Sequence, residues 1–507
     1  MSSPADIQRG LQAYLQAQAL HREKRHAEAA KAYNRALALM PEHPGLLAEF
    51  AQLALDVQDW KAAEKLYRRL GELRPKSNFE GHLGVCLFRQ DRYADAIPWL
   101  ETHIARNPGD ADVLHALANS LCSTGRWEEG LARARAALEL KPDDKKTDAV
   151  MNALFHLGRI DELDRMADDA IRRFPDSREV RSMYSLHKLK SGDYDAGFRY
   201  FADFRWRNNL KVPDDAGIPG EPWNGEKFEG TLLVVAEQGL GDEIMMSSML
   251  EDIQRMGQRV LVECDARLLP LFTRSFPALS FVPRHQKQLQ RVYADGGGTG
   301  FRRVNALDLG CFFRRNRQRF PERRHWLQPD PARVAALRDE YRRRWPGRRL
   351  IGISWKSTRI MEGGAEKSFR LSDFAPVLQR SDCVFFNLQY GDVAADIAGA
   401  RAAGIGDIQV DSAIDAGNDI DGLAAQTAAL DAVVSTSNTT VHIAGALGVP
   451  CLVLLPRTRP VLWYWGYRGD TTPWYPSLHL LRNESEDDRG ALMRRAADLL
   501  PSLWSTP

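Results

Sequence analysis

Cysteine is scarce in this chain, and what there is lacks pattern. The six residues (Cys86, Cys122, Cys264, Cys311, Cys383 and Cys451) show no CxxC pair. That argues against a disulfide scaffold or a cysteine-ligated zinc, and fits reduced core residues of a cytoplasmic protein. No window approaches the roughly 18 uninterrupted apolar residues of a membrane-spanning helix. The N-terminus, MSSPADIQRG, has neither a basic n-region nor an apolar h-region. We therefore expect no integral membrane segment, no export signal and a cytoplasmic location. A formal net charge of only +2 gives no bulk attraction to nucleic acid. The chain also lacks a GxSxG elbow, a GK[ST] Walker loop, a GxGxxG fingerprint and any His/Cys/Asp/Glu cluster with metal-ligand spacing. Serine hydrolases, P-loop enzymes and metallohydrolases are thereby disfavoured, and no metal or cofactor is expected.

What is present is an ordinary globular composition, 44% apolar and 27% charged, spread over 507 residues. That is too long for one core, so two or three domains are expected. The first two hundred residues repeat. Prolines fall at Pro41, Pro75, Pro108, Pro142 and Pro175, at steps of 34, 33, 34 and 33. Small residues keep the same step in two series, Ala17, Ala51, Gly84, Ala118 with Ala153 one residue late, and Ala29, Ala63, Ala96, Gly130. Trp60, Tyr93, Trp127, Ile160 and Tyr194 form a third, turn-proximal series. Three series in phase at 34 residues are the tetratricopeptide pattern, helix pairs with small residues where they cross. Five repeats and most of a sixth fit residues 1–207, with Leu163 breaking the small series in the fifth. Such arrays bind extended peptides or partner helices along a concave groove, or serve assembly. Charged stretches along it, Arg22 to Arg25, Lys145-Lys146 and Arg172-Arg173, read as solvated helix faces.

Periodicity fails over residues 208–228, rich in proline, glycine and acid, which we read as a linker pinned by Trp223. Residues 229–329 then read as a first α/β lobe. Leu232 to Ala236 is a buried strand, Glu237 to Gly241 a turn, and Asp242 opens a helix. Gln238, Gly239, Gly241 and Asp242 are the candidate site residues here, the glycines allowing close backbone approach; alone, Asp242 reads as a helix cap. Arg314 to Arg324 is sharply basic, either an anion contact or a solvated connector.

Residues 330–507 read as a second α/β lobe whose terminal helix packs back across the first. Strand Leu350 to Trp355 leads into a polar loop carrying Lys356, Arg359 and Lys367, past a strand's carboxyl end, where open α/β sheets bind ligands. The densest signal is LDAVVSTSNTTVHIAGALGVPCLVLL, Leu430 to Leu455. An apolar strand, small polar residues, a short helix ending at Gly448 and a second strand make a βαβ unit. Ser437, Asn438, Thr439, Thr440 and His442 crowd the helix start, where unpaired N–H groups and the helix dipole suit an anion. The plainer reading is a well-capped helix.

The segment STSNTTVHIAGALGVPCLVLLP resembles the nucleotide-binding stretch D-T-x-x-x-H-L-A-G-A-L-G-x-P of the ADP-heptose:lipopolysaccharide heptosyltransferases. The AEQGLGD turn resembles the one that carries their proposed catalytic aspartate, and Lys367 their phosphate-binding lysine. TPWYP and VLWYWG are similar to the tetratricopeptide-bearing branch. The resemblance runs from Pro222 onward. It implies a two-lobed GT-B glycosyltransferase fold behind the helical array, laid out like the O-GlcNAc transferases. Ser437-Asn438 stand where the family has Asp-Thr, which removes a negative charge beside the diphosphate.

The same resemblance implies metal-independent, inverting transfer of a sugar from a nucleotide-sugar donor. Asp242 would take the acceptor proton, and Lys367 would neutralise the departing diphosphate. Thr439, Thr440, His442 and backbone N–H groups would hold the phosphates. The repeats point to a protein acceptor glycosylated on Ser or Thr, flagellin or another surface protein in bacterial relatives of this layout. Transfer onto lipopolysaccharide or another glycan, a non-catalytic scaffold, and a homo-oligomer formed by the array all stay open.

Overall fold

The computed structural model describes residues 4–75, 78–207, 220–284, 300–357, 368–455, 462–483 and 488–504. It divides into two compact units, Met1–Val180 and Arg181–Pro507.

In the first unit the helices are α1 (Pro4–Arg22), α2 (His26–Leu39), α3 (Pro44–Asp56), α4 (Trp60–Leu73), α5 (Glu80–Phe88), α6 (Tyr93–Arg106), α7 (Ala111–Ser123), α8 (Trp127–Leu140), α9 (Asp144–His156) and α10 (Ile160–Arg173). Consecutive helices pack as hairpins, α1 on α2 through α9 on α10. Each repeat series has a structural job. Trp60, Tyr93, Trp127 and Ile160 are the first residues of the second helices. The prolines stand two residues beyond those helices' ends, where no backbone N–H is needed. Small residues allow the axes to close up: a Cβ on Gly84 would lie 2.6 Å from Leu100, and one on Gly130 2.4 Å from the Cys122 sulfur. The turn within each hairpin turns through a left-handed residue, and Lys24, Gln58, Asp91, Gly125, Gly158 and Gly192 all have positive φ. The five steps between them keep the repeat's own 33–34-residue period. One charged pair differs from the sequence reading. Lys146 is buried rather than solvated, its ammonium 2.8 Å from both Asp112 and Asp143.

The second unit begins inside α11 (Arg178–Ser191), followed by α12 (Tyr194–Arg199) and α13 (Phe201–Arg207). The sequence reading carried the array to residue 207. Gly192 keeps the repeat's turn, yet these helices are grouped with the α/β region. The reason is packing: Phe198 and Phe201 set their rings 5.7 and 6.2 Å from Trp463.

Two all-parallel sheets follow. The first orders its strands β1 (Glu221–Pro222), β5 (Phe301–Asn305), β2 (Thr231–Val235), β3 (Arg259–Cys264) and β4 (Ser280–Pro283). The second runs β11 (Leu478–Arg482), β10 (Cys451–Leu455), β9 (Ala432–Thr436), β6 (Arg349–Ser354), β7 (Cys383–Asn387) and β8 (Ile408–Gln409). Its central strands β6, β9 and β10 are buried on both faces, as the continuous apolar runs require. Counted along the chain, the second sheet has the order 6-5-4-1-2-3. Strand order reverses between β6 and β9, which leaves a crevice at their carboxyl ends.

Further helices include α14 (Leu240–Ser247), α15 (Pro331–Arg344), α16 (Ile420–Ala429), α17 (Thr439–Leu447) and α18 (Arg489–Leu499). The terminal helix α18 does not cross to the first sheet as expected. Leu492, Met493 and Ala496 join Ile351, Phe374 and Leu481 in the second sheet's own core. Trp223 does pin its segment, its ring 4.8 Å from Phe312. The basic stretch is a solvated connector over residues 315–319, which are exposed, and it is anchored at two points. Arg314 is buried, 2.8 Å from Asp252 and donating to the Ser248 carbonyl, while Arg323 pairs with Glu251. Linker residues 208–219, loop residues 295–299, Arg359 and Lys367 lie outside the described residues.

Candidate functional site

The first sheet's central strand β2 runs straight into the turn Ala236 to Gly239. Gln238 sits there with φ 61°, a left-handed backbone that a non-glycine side chain rarely adopts. The turn is held from both sides. Glu237 is 1% exposed, and its carboxylate accepts hydrogen bonds of 2.8 Å from the Arg205 guanidinium of α13 and from the Leu307 N–H. Burial pushes this carboxyl up, and the Arg205 fork offsets part of the shift. From the other side Arg284 donates to the Ala236 and Gln238 carbonyls, both at 3.1 Å.

Gly239 then caps α14 in extended conformation, and Asp242 takes the Gly239 N–H at 3.3 Å. Asp242 is half-buried. Its neighbour Glu243 turns inward, accepting the Asp265 N–H at 2.8 Å, and burial raises its carboxyl to about 7.

In the second sheet, Asn438 knits the switch point together. Its side-chain oxygen accepts the Thr440 N–H at 3.0 Å, capping α17. Its amide donates to the Ser354 hydroxyl at 2.7 Å and the Lys356 carbonyl at 3.0 Å, tying β9 to β6. Gln389, just past β7, accepts from the Ser354 hydroxyl, Trp355 N–H and Lys356 N–H at 2.7–2.9 Å. The carboxyl ends of three strands are thus fixed by two amide side chains. The Lys356 ammonium pairs with Asp396, and the Thr440 hydroxyl donates to the Leu388 carbonyl at 3.2 Å. Thr439 is the partly exposed hydroxyl of this cap.

The two turns meet. Gly241 faces the His442 ring so closely that a Cβ would lie 2.7 Å from its Cδ2. His442 is buried, sharing a 2.7 Å hydrogen bond with the Tyr475 hydroxyl, with the Tyr464 hydroxyl 3.5 Å from its other nitrogen. Burial first, then Tyr464 and Asp242, raise the Tyr475 phenol well above its ordinary range. Trp465 donates its indole N–H to the Ser437 hydroxyl at 2.9 Å. Trp326 spans the seam, its indole N–H donating to Ser247 at 2.9 Å and its ring 5.4 Å from Tyr475. Among the described residues, no group of three or more His, Cys, Asp or Glu is placed to hold a metal ion.

Comparison with known proteins sets this geometry in context. Residues 20–82 and 87–154 match the tetratricopeptide repeat family. Protein FlbA of Caulobacter vibrioides is 31% identical over 509 aligned residues, which cover 95% of this chain and 83% of FlbA. The chain belongs to the FlbA family. The solved structures it matches include MamA from Desulfovibrio magneticus, at 20% identity and TM-score 0.30 over 33% of this chain and 98% of that one. Another is YrrB, a tetratricopeptide protein described as having an unusual peptide-binding site, at 18% identity and TM-score 0.30 over 32% and 86%.

Of the residues singled out from sequence, this FlbA-family chain brings Gln238, Gly239, Gly241, Asp242, Ser437, Asn438, Thr439, Thr440, His442 and Lys356 to the ends of the central strands. Several already have protein partners. Asn438 and Thr440 hold the switch point, Ser437 and His442 serve the aromatic seam, Lys356 is ion-paired, and Gly241 makes room for His442 rather than for a ligand. Gln238, Gly239, Gly241, Asp242, Lys356 and Thr439 are partly exposed, whereas Ser437, Asn438, Thr440 and His442 are buried. Sequence reasoning passed over Arg205, Glu237, Gln389 and Tyr475. A glutamate closing an apolar strand was the available sign for Glu237. No helix of the described residues is long and apolar enough to cross a membrane.

Proposed function

We propose that residues 181–507 form a two-lobed GT-B glycosyltransferase and that the helical array presents a protein acceptor to it. The observation that carries the reading is the meeting of two strand-to-helix turns, Gln238 to Asp242 and Ser437 to Thr440, one from each parallel sheet and both at carboxyl strand ends. This is where doubly wound sheets bind nucleotides, and each turn aims a helix N-terminus at the same region. The donor, a nucleotide sugar, lies against α17 with its diphosphate near Thr439. Lys367 supplies the positive charge on departure of the nucleoside diphosphate, which makes the transfer metal-independent. Asp242 receives the acceptor hydroxyl proton as the sugar's anomeric carbon bonds to that oxygen and the carbon–phosphate-oxygen bond breaks, inverting the centre. Ser or Thr of a protein is the acceptor, because the tetratricopeptide array binds proteins.

A second reading, a non-catalytic scaffold, draws support from the partners already taken up by Ser437, Lys356 and His442. One experiment separates the two. Thermal unfolding is followed with a panel of nucleoside mono- and diphosphates on wild type and Lys367→Ala. The transferase reading expects stabilisation by one nucleotide, about 2.7 kcal/mol at a hundredfold excess over Kd, weakened in the variant. No response to any nucleotide leaves the scaffold.

A further inference from the structure

Arg205 stands outside both sheets, on the last helix before residue 208, yet its guanidinium is 4% exposed and spent on the candidate site's first turn. Its two terminal nitrogens lie 2.8 and 2.5 Å from the two Glu237 oxygens, and Asp308 approaches to 3.5 Å. Glu237 in turn takes the Leu307 N–H, so one carboxylate joins α13, β2 and the end of β5. The next residue is Gln238, in its left-handed conformation, and the one after is the cap of α14. A strained residue persists where its surroundings over-determine it. Here the surroundings are Arg205 on one side and Arg284 on the other. The same helical segment also braces the second turn's aromatic seam, since Phe198 and Phe201 abut Trp463, and the Tyr467 hydroxyl lies 3.2 Å from His187.

We infer that Arg205 is a positioning residue: through Glu237 it fixes the conformation of residues 236–242 and so the place of Asp242. The inference rests on the reading of that turn as part of a nucleotide-sugar site, but its first readout does not.

The test uses the full-length chain without ligand. Wild type, Arg205→Lys and the double variant Arg205→Met with Glu237→Leu are compared by thermal unfolding and by amide hydrogen exchange over residues 236–243. The double variant removes both charges of the pair, so its unfolding midpoint falls less than that of either single truncation, although Asp308 and the Leu307 N–H each lose one partner. A pair that merely fills space would keep the turn's protection. The positioning role expects exchange over 236–243 to quicken about ten-fold in the double variant, with β6 unchanged and Arg205→Lys between the two. Equal protection of the turn in all three proteins overturns it. Should the double variant not fold, Glu237→Gln, which keeps side-chain length and one acceptor, is measured against the same criterion. Nucleotide-induced stabilisation is recorded alongside. Where wild type responds, the variant's nucleotide affinity falls about ten-fold; where wild type does not respond, the transferase reading fails and the exchange result still judges Arg205.

Discussion

Asp242 holds two roles that substitution can separate. Its carboxylate takes the Gly239 N–H at 3.3 Å from the first turn of α14, where a negative charge is stabilising. Asp242→Asn keeps an acceptor there and costs roughly 0.5 kcal/mol of stability, against about 1 kcal/mol for Asp242→Ala. If the carboxylate is also the proton acceptor, both variants lose turnover by about a hundredfold or more while nucleotide-induced stabilisation persists. Turnover retained by Asp242→Asn would leave it a cap only. Its neighbour Glu243 gives a prediction that is independent of function. Burial raises this carboxyl from 4.5 to about 7, against the Arg284 guanidinium 3.6 Å away and with Asp265 and Glu263 adding to the rise. The folded state therefore binds a proton that the unfolded state releases between about pH 4.5 and 7. Stability falls as pH climbs through that window, by up to roughly 3 kcal/mol in all, and is lowest above it. Glu243→Gln should flatten the slope in denaturant titrations run from pH 4.5 to 8. An unchanged slope would place the responsible group elsewhere.

At the scale of elements, the helix pairs were legible because everything that defines them is local. A small residue at the crossing, a left-handed residue in the turn and a proline past the end recur within one 34-residue window. The βαβ unit around α17 was legible for the same reason, down to the group of small polar residues that supplies its cap. What Asn438 does beyond capping was not, because Ser354 and Lys356 lie 84 and 82 residues away and no spacing rule reaches them. The same holds for Arg205 and Glu237, and for the inward turn of α18 onto its own sheet. The bridge has a measurable weight. Asn438→Ser keeps a capping oxygen but cannot reach across to β6, and Asn438→Ala loses both. Unfolding free energies should rank wild type above Ser above Ala, with about 2–3 kcal/mol between the extremes. A serine variant as stable as wild type would show that the tie between β9 and β6 contributes nothing.

At the scale of the molecule, the boundary that matters is not where the periodicity stops. The repeat's period runs on to Gly192 and the composition changes after 207, so a reading by pattern cuts the chain at the linker. Contacts cut it at residue 180 instead. The residues between follow the sequence rules of one unit and the packing of the other. Phe198, Phe201 and Phe204 are all buried, and each is worth roughly 2 kcal/mol by the area it hides. Arg205 is the only partner of opposite charge that the described residues bring within 4 Å of the Glu237 carboxylate. A chain beginning at residue 208 forfeits all four, exposes Trp463 and leaves a buried lone carboxylate, a combination that costs well over 5 kcal/mol. A chain beginning at residue 181 keeps them. We therefore expect residues 181–507 to unfold in one cooperative transition. Residues 208–507 should melt roughly 10 °C or more lower, or not fold at all. Equal melting midpoints for the two would mean that α11 to α13 belong to the array after all, and that the first turn keeps its shape without them.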